Sequence, residues 1–287
     1  MSTIDLLRRP LAPVLPEAWS AIDDEAKRVL ALNLAGRKVV DFCGPFGWKH
    51  AAVNTGRLEM LQGRDPVEGV CAGVRLVQPL IELRIPFTLT QMELDVVARG
   101  ANDPYVEPAR VAAERVALAE DTAIFNGYEP GKIRGIVPSS PHAPLTVASP
   151  SDWPRAVVGA SEVLRAAGIN GPYALELGPD AYDELSSAAE DGYPIRKRIE
   201  GKLIDGPIVW APAVKCGLLL SIRGGDYELT VGQDLSIGYA FHDKDKVELY
   251  LTESFTFRVL EPAAAIGVCR AAWPVAETSS SSSPQGR

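Results

Sequence analysis

Two acidic pairs have the residue types for general acid–base work: Glu120 with Asp121, and Glu190 with Asp191. Neighbouring carboxyls can divide acid and base roles when their surroundings push their pKa values apart. Glu120 and Asp121, however, lie in a helix-periodic stretch, where surface or ion-pair duty is the commoner use. The three histidines, His50, His142 and His242, show no metal-ligand spacing. The first two sit in turn-rich segments, and the third opens HDKDKVE, whose alternating charges read as a solvated turn. Cys43, Cys71, Cys216 and Cys269 are far apart with no CxxC pair, so neither a zinc ribbon nor a thioredoxin-like site is written here. Four reduced thiols are the expectation. GxGxxG, GxxxxGK[ST] and GxSxG are all absent. Without a nucleophile–base pattern, the chain reads as a structural or binding protein rather than an enzyme.

Composition narrows this further. The 287 residues carry 29 Lys and Arg against 37 Asp and Glu, for a net charge of −8. That balance opposes general nucleic-acid binding, which needs a basic surface against phosphates. With 46% hydrophobic and 23% charged residues the chain can build a core as one large domain or two ordinary ones. No apolar run reaches the roughly 18 residues of a membrane span. The first twenty residues hold Arg8, Arg9 and three prolines instead of a signal-peptide core, so the cytoplasm is the expected compartment.

The elements that must position any site follow from periodicity. After a proline-interrupted arm (1–16), Trp19, Ile22, Ala26, Val29 and Leu30 share one helical face, with Pro16 at the start and Gly36 as the stop. Residues 37–42 suggest a short strand. Residues 51–62 and 70–90 read as β, yet Arg75, Pro79, Glu82 and Arg84 bar a central core strand, so 50–90 is expected to project as a ribbon. Residues 107–125 form the clearest helix, with Val111, Leu118 and Phe125 seven apart and small residues on its flank. A second helix spans 153–168, and SSAAEDGYPIRK reads as loop. Successive strands follow in IVWAPAV, GLLLSI, YELTVG, DLSIGYAFHD and VELYLTESFTFRVL. Helices in the middle and strands at the end make the class α+β. The serine-rich tail from Glu277 has the composition of a disordered segment.

Several ordered blocks together resemble the encapsulin family, the linocin-like bacterial shell proteins. They are LAPVLPEAWSAIDDEAKRVLALNLAGRKVVDFCGPFGW, PLIELRIPFTL, ELDVVARG, EDTAIFNGY, GPYALELGPDAYDEL, DGYPIRKRIE, RGGDYELTVGQDLSIGY and TESFTFRVLEPAA. The resemblance implies the fold of tailed-phage major capsid proteins (the Hong Kong 97 type). Its parts would be the start of a peripheral domain (1–49), an extended loop (50–90), the peripheral domain with the long helix (91–136), an axial domain (137–222), the peripheral sheet (223–268) and a tail (269–287). PLIELRIPFTL and ELDVVARG would be the loop's return strand and its continuation.

The resemblance also implies a function: a closed shell of roughly sixty copies in its smallest icosahedral form. The shell would hold a cargo enzyme by the cargo's C-terminal peptide, with dye-decolourising peroxidase or a ferritin-like iron-oxidising protein as the usual cargo. The blocks at 30–42 and 232–239 match the family's peptide groove. Leu30, Leu34, Val39 and Ile237 would supply its apolar trough, Arg37, Asp41 and Asp234 its ionic contacts, and Tyr239 both. The 186–198 block matches the five-fold pore loop, with Glu190, Asp191 and Tyr193 as lining and a preference for cations. Some members stack a flavin on a tryptophan where this chain has Met92, which cannot stack like an indole, so no flavin is expected. A phage or prophage capsid protein is the alternative, and an enzyme in its own right the lesser one.

Overall fold

The computed structural model describes residues 6–63, 66–101, 103–190 and 192–270. Asp191 and the serine-rich tail from Glu277 therefore lie outside the described residues.

Pro16 opens helix α1 (Pro16–Asn33), and Ile22, Ala26 and Val29 are buried as the spacing predicts, joined by Ala18, while Trp19 and Leu30 are half-buried. The strand suggested over 37–42 does not form as such. Residues 36–38 make a 3-10 turn, and β1 is confined to Asp41–Cys43. The turn wins because the Asp121 carboxylate accepts the backbone N–H groups of Ala35 (2.8 Å) and Gly36 (2.9 Å). Gly36 also sits so near Ile124 that a Cβ there would lie 2.6 Å from its Cδ1.

The ribbon is real but shorter than 50–90. β2 (Ala52–Met60) and β3 (Gly73–Pro79) pair with each other, Ala52 opposite Pro79 and Met60 opposite Gly73, with a bulge after Asn54. β4 (Ile81–Thr90) instead runs antiparallel to a long strand near the C-terminus, ten residues in register. Its alternation explains the misreading. Phe87 and Leu89 are buried, while Glu82, Arg84, Pro86 and Thr88 face outward. Pro86 is tolerated because β4 is an edge strand.

Thr90 then caps helix α2 (Gln91–Ala98) by accepting the Glu93 N–H, so the ELDVVARG block continues as helix, not strand. In α3 (Glu107–Phe125) Phe125 is buried, but Leu118 is exposed. The buried face is built from Ala109, Ala112, Ala113, Val116 and Ala117, and these small side chains let α1 and β4 approach closely.

The remaining elements are α4 (Ile136–Ser139), β5 (Leu145–Val147), α5 (Trp153–Ala166), β6 (Tyr173–Leu177) and α6 (Pro179–Ser187). The stretch read as loop folds into the short hairpin strands β7 (Ala189–Glu190) and β8 (Tyr193–Pro194), then α7 (Ile195–Lys202), which buries Ile195 and Ile199. β9 (Ile208–Trp210), β10 (Gly217–Ser221), β11 (Tyr227–Val231), β12 (Ser236–His242) and β13 (Lys246–Val259) fall where the sequence puts strands, and β14 (Ala265–Arg270) adds one more.

Two five-stranded sheets result. The first runs β1-β11-β13-β12, with β4 also on β13. The second runs β5-β14-β10-β6-β9. One core lies between α1, α2, α3 and the first sheet, through Ile22, Val29, Val116, Ile237 and Leu249. The other surrounds the second sheet with α5, α6 and α7, through Leu164, Leu175, Leu185, Ile199 and Leu219.

Two of the four cysteines are not reduced thiols. Gly217 on β10 pairs with Val268 on β14, so Cys216 and Cys269 fall opposite each other. Their Cα atoms are 5.1 Å apart, and they form a disulfide. A separation of 53 residues hid a contact that strand register alone creates. Cys43 and Cys71 are free thiols.

Candidate functional site

Arg37 enters the space between α3 and β13 and meets three carboxylates. Its Nη2 donates to Glu120 Oε2 (2.6 Å) and to Glu253 Oε1, its Nη1 to Asp234 Oδ1 (2.9 Å), and its Nε to Glu120 as well. The Arg37 side chain is 17% exposed, Glu120 and Glu253 are 0% exposed, and Asp234 reaches solvent. Burial opposes the Arg37 charge, but the hydrogen bonds and charges of Glu120, then Glu253 and Asp234, outweigh it and raise its pKa. Burial, followed by the Glu120 charge, pushes Glu253 well above the usual carboxylate range, and the Arg37 charge opposes this.

Asp121, beside Glu120 on α3, forms no ion pair among the described residues. Burial pushes it up to about 7 despite its two backbone donors. Glu176 on β6 is fully buried, neither carboxyl oxygen has a hydrogen-bond partner among the described residues, and burial likewise raises it well above the ordinary range.

The predicted groove residues separate into three groups. Leu30 on α1 and Ile237 and Tyr239 on β12 belong to one apolar cluster, with Leu235 beside them. Leu34 is buried at the end of α1, where its N–H closes the helix on Leu30 O. Arg37 and Asp234 are joined, but chiefly as part of the buried knot. Val39 packs into the other core. Asp41 is exposed and accepts the N–H of Gly225, away from the knot. Thus α1 and β12 share an apolar seam, Asp234 just before β12 ties to Arg37, and Val39 and Asp41 lie outside the seam. Glu120 takes the ion-pair duty expected of it, but its complete burial and the roles of Glu253 and Asp121 were not anticipated. Their signal was a charge on an alanine-rich helix face and, after Glu248, a second glutamate within VELYLTESFTFRV.

The arm also reaches this seam. Tyr239 N–H donates to Leu7 O (2.7 Å), and Tyr250 Oη donates to Leu6 O (3.1 Å). The Tyr239 hydroxyl meets His242 Nδ1 at 2.6 Å.

In the hairpin after α6, Glu190 Oε2 accepts from Arg198 Nη1 (2.6 Å), and Lys202 Nζ lies 6.0 Å from the Tyr193 ring centroid. Glu190, Tyr193, Ile195 and Arg198 line a shallow hollow of about 200 Å³. Among the described residues no cluster of His, Cys, Asp and Glu could hold a metal ion. Among them, too, no helix is long and apolar enough to cross a membrane.

Two sheets, a long alanine-faced helix and an exposed hairpin define the capsid-type fold of the Hong Kong 97 class. Solved structures share this fold. The virus-like particle of Pyrococcus furiosus superposes with a TM-score of 0.61 at 15% identity, covering 87% of this chain and 97% of that one. The structure titled Mycobacterium phage Ogopogo gives 0.55 at 12% identity, covering 84% and 92%. The sequence is more specific. A family model described as an encapsulating protein for peroxidase matches residues 4–256. The type 1 encapsulin shell protein of Rhodospirillum rubrum is 47% identical over 266 residues, 91% of this chain and 95% of the relative. That of Brevibacterium linens is 46% identical over 255 residues, 88% and 95%. The chain belongs to the type 1 encapsulin shell-protein family, whose members are structural components of multi-copy shells.

Proposed function

We propose that roughly sixty copies of this chain close into an icosahedral shell in the bacterial cytoplasm. The shell encloses an enzyme bearing a C-terminal targeting peptide and admits small substrates through a pore at the 186–198 loop. The observation that carries the reading is the β2–β3 ribbon. Leu58, Met60, Val74, Leu76 and Val77 are exposed on a hairpin that pairs only with itself. A two-stranded hairpin with an apolar surface is marginal in water and needs a cover, which a neighbouring copy in a closed lattice supplies.

The α1–β12 seam supports the cargo role. It offers Leu30, Ile237 and Tyr239 as an apolar strip with the solvent-reaching carboxylate of Asp234 at its side. A peroxidase is the favoured cargo because the matching family is described by peroxidase encapsulation, with a ferritin-like protein as the second choice. The chain itself performs no catalysis in this reading and carries no flavin. Met92, on α2, is 68% exposed and offers no ring to stack on.

Light scattering and electron micrographs of the purified chain test the shell, and mass spectrometry of what co-purifies tests the cargo. Hollow megadalton particles that retain a second protein are expected. A monomer or small oligomer would remove the reason for the exposed ribbon and overturn the reading.

A further inference from the structure

The outer edge of β12 is already occupied by the chain's own arm. On its inner side β12 pairs with β13, from Ser236 opposite Thr252 to His242 opposite Val247. The Tyr239 N–H points the other way and donates to Leu7 O at 2.7 Å, and Tyr250, on the neighbouring strand, holds Leu6 O at 3.1 Å. The arm thus meets the edge through one backbone bond and the Tyr250 hydroxyl, with Leu6 and Leu7 in a turn. Behind it Arg9 forms two hydrogen bonds with Asp23 (2.7 and 3.2 Å) and stacks 3.9 Å from the centroid of Trp19, which clips the arm to α1.

This hold is also easily released. Between the contacts at Leu6 and Leu7 and the clip, Arg8 takes φ 54°, the left-handed region that disfavours a residue with a side chain. Leu6 keeps about half its surface in water. The Arg9–Asp23 pair is part-exposed, where solvent screens it.

We propose that residues 6–9 are the resident occupant of the β12 edge, and that an extended cargo peptide docks there by strand addition after displacing them. The occupant's chemistry follows from what the edge asks for. The Tyr239 N–H takes a backbone carbonyl and the Leu30–Ile237 strip takes apolar side chains, both of which an extended peptide supplies in the edge-strand mode of recognition. The arm then sets the affinity. A site whose competent form is only a fraction f of the population binds with its intrinsic dissociation constant divided by f, so an arm seated about nine-tenths of the time weakens docking about tenfold. The inference rests on the groove reading given under the proposed function.

The test uses assembled shells of the full chain, of a variant lacking residues 1–7, and of Arg9→Ala, which loosens the clip and leaves β12 untouched. Arg9→Ala serves if the truncated chain does not assemble. The probe is a fluorescent peptide with the sequence of residues 4–12, read by anisotropy on opened shells. Cargo retained per shell after expression in the native host is read by mass spectrometry.

The expected result is peptide binding about tenfold tighter to the two arm variants than to the parent, with more cargo retained. Tyr239→Pro, which deletes the outward N–H at an edge position that accepts proline, should abolish that gain. Tyr239→Phe should keep it. Equal probe binding and equal cargo in parent and arm variants would overturn the inference. If Leu30→Asp lowers cargo under those same conditions, the groove reading survives and the arm's role alone falls. If Leu30→Asp also leaves cargo unchanged in intact shells, the groove itself is misassigned.

Discussion

Arg37 meets Glu120 at 2.6 Å, and Arg198 meets Glu190 at 2.6 Å. The geometry is the same and the surroundings are opposite. The first pair is 17% and 0% exposed, with a second fully buried carboxyl beside it. The second is 48% and 47% exposed on a short hairpin and the helix that follows. Coulomb's law gives the bare pairs equal attraction, but the dielectric and the cost of desolvation differ. In the core, the arginine is the only described cation holding two carboxyls that have left water. At the hairpin, solvent does most of that work for either partner alone. Contact distance therefore says little about what an ion pair does, and burial says most of it.

The comparison breaks first at Arg37. Arg37→Ala leaves Glu120 and Glu253 buried without their cation and should cost about 3–5 kcal/mol. In a shell this appears as a large drop in melting temperature or a failure to recover particles. A loss below about 1 kcal/mol, the exposed-pair range, would make the two sites equivalent. The same reasoning separates two roles that the sequence motif joined. Reversing Arg37 and Asp41 together cannot report on cargo alone, because Arg37 supports the fold and Asp41 sits elsewhere, on the Gly225 turn.

A combined variant sharpens the point. Arg37→Met with Glu120→Met and Glu253→Met removes the cation and both buried acids. If orphaned charge is the cost, stability should return to within about 1–2 kcal/mol of the parent, since apolar replacement of a whole buried ion cluster is often neutral or stabilising. A triple variant as weak as Arg37→Ala would mean that lost packing, not lost charge, dominates. Denaturant melts of the three shells decide it.

The sequence disclosed one side of this contrast better than the other. The α1 face, the two proline-led helices and the run of C-terminal strands were legible because each is local and periodic. The ribbon was legible through its misplaced charges, although its return strand β4 was not, because an edge strand with one wet face looks like a strand with none buried. The second sheet's β14 and the Cys216–Cys269 bond depend on register between segments 53 residues apart, which no local pattern records. The knot was hidden for the same reason. Arg37, Glu120, Asp234 and Glu253 are ordinary surface residues until α3 and β13 bring them together. At the candidate site, the family blocks could not separate Leu30, Ile237 and Tyr239, which share a seam, from Val39, in the other core, and Asp41, on the Gly225 turn.

Asp121 offers a third environment, a buried acid held by backbone N–H groups. Burial pushes its carboxyl up to about 7, and the Glu120 charge adds to this, while Lys38 and the two N–H groups oppose it. The folded form then binds its proton more tightly than the unfolded chain, whose aspartate titrates near 4. Its contribution to stability is full below about 4 and declines as pH rises towards about 7. Glu176, which faces Asp121's charge, shifts in the same direction. Shell melting temperature should therefore fall as pH rises through this window. Asp121→Asn, which keeps an acceptor but does not titrate, should flatten part of that slope and leave the Glu176 part. An unchanged slope would show that Asp121 is already ionised at pH 4, with its two backbone donors outweighing burial.

The smallest stability effect belongs to the hairpin, where the functional effect is largest relative to it. Arg198→Ala should change stability by less than about 1 kcal/mol, because both partners are half in water. If the hairpin lines a pore in the shell, the same change exposes an unpaired Glu190 carboxylate in every copy around the opening. A ring of carboxylates favours cations and repels anions. With Arg198 in place each glutamate is offset at 2.6 Å, and the ring's net charge is small. A dye trapped in reassembled shells reports entry by quenching, with cobalt(II) as the cation and iodide as the anion. Arg198→Ala should speed cobalt and slow iodide, Glu190→Gln should do the reverse, and the double variant should return near the parent. Raising the salt should compress all three differences, because charges about a Debye length apart are screened. If Glu190→Gln changes neither rate, the pore lies elsewhere. If it changes both while Arg198→Ala changes neither, the pair seen on the hairpin is too weak in solution to set the charge of the opening.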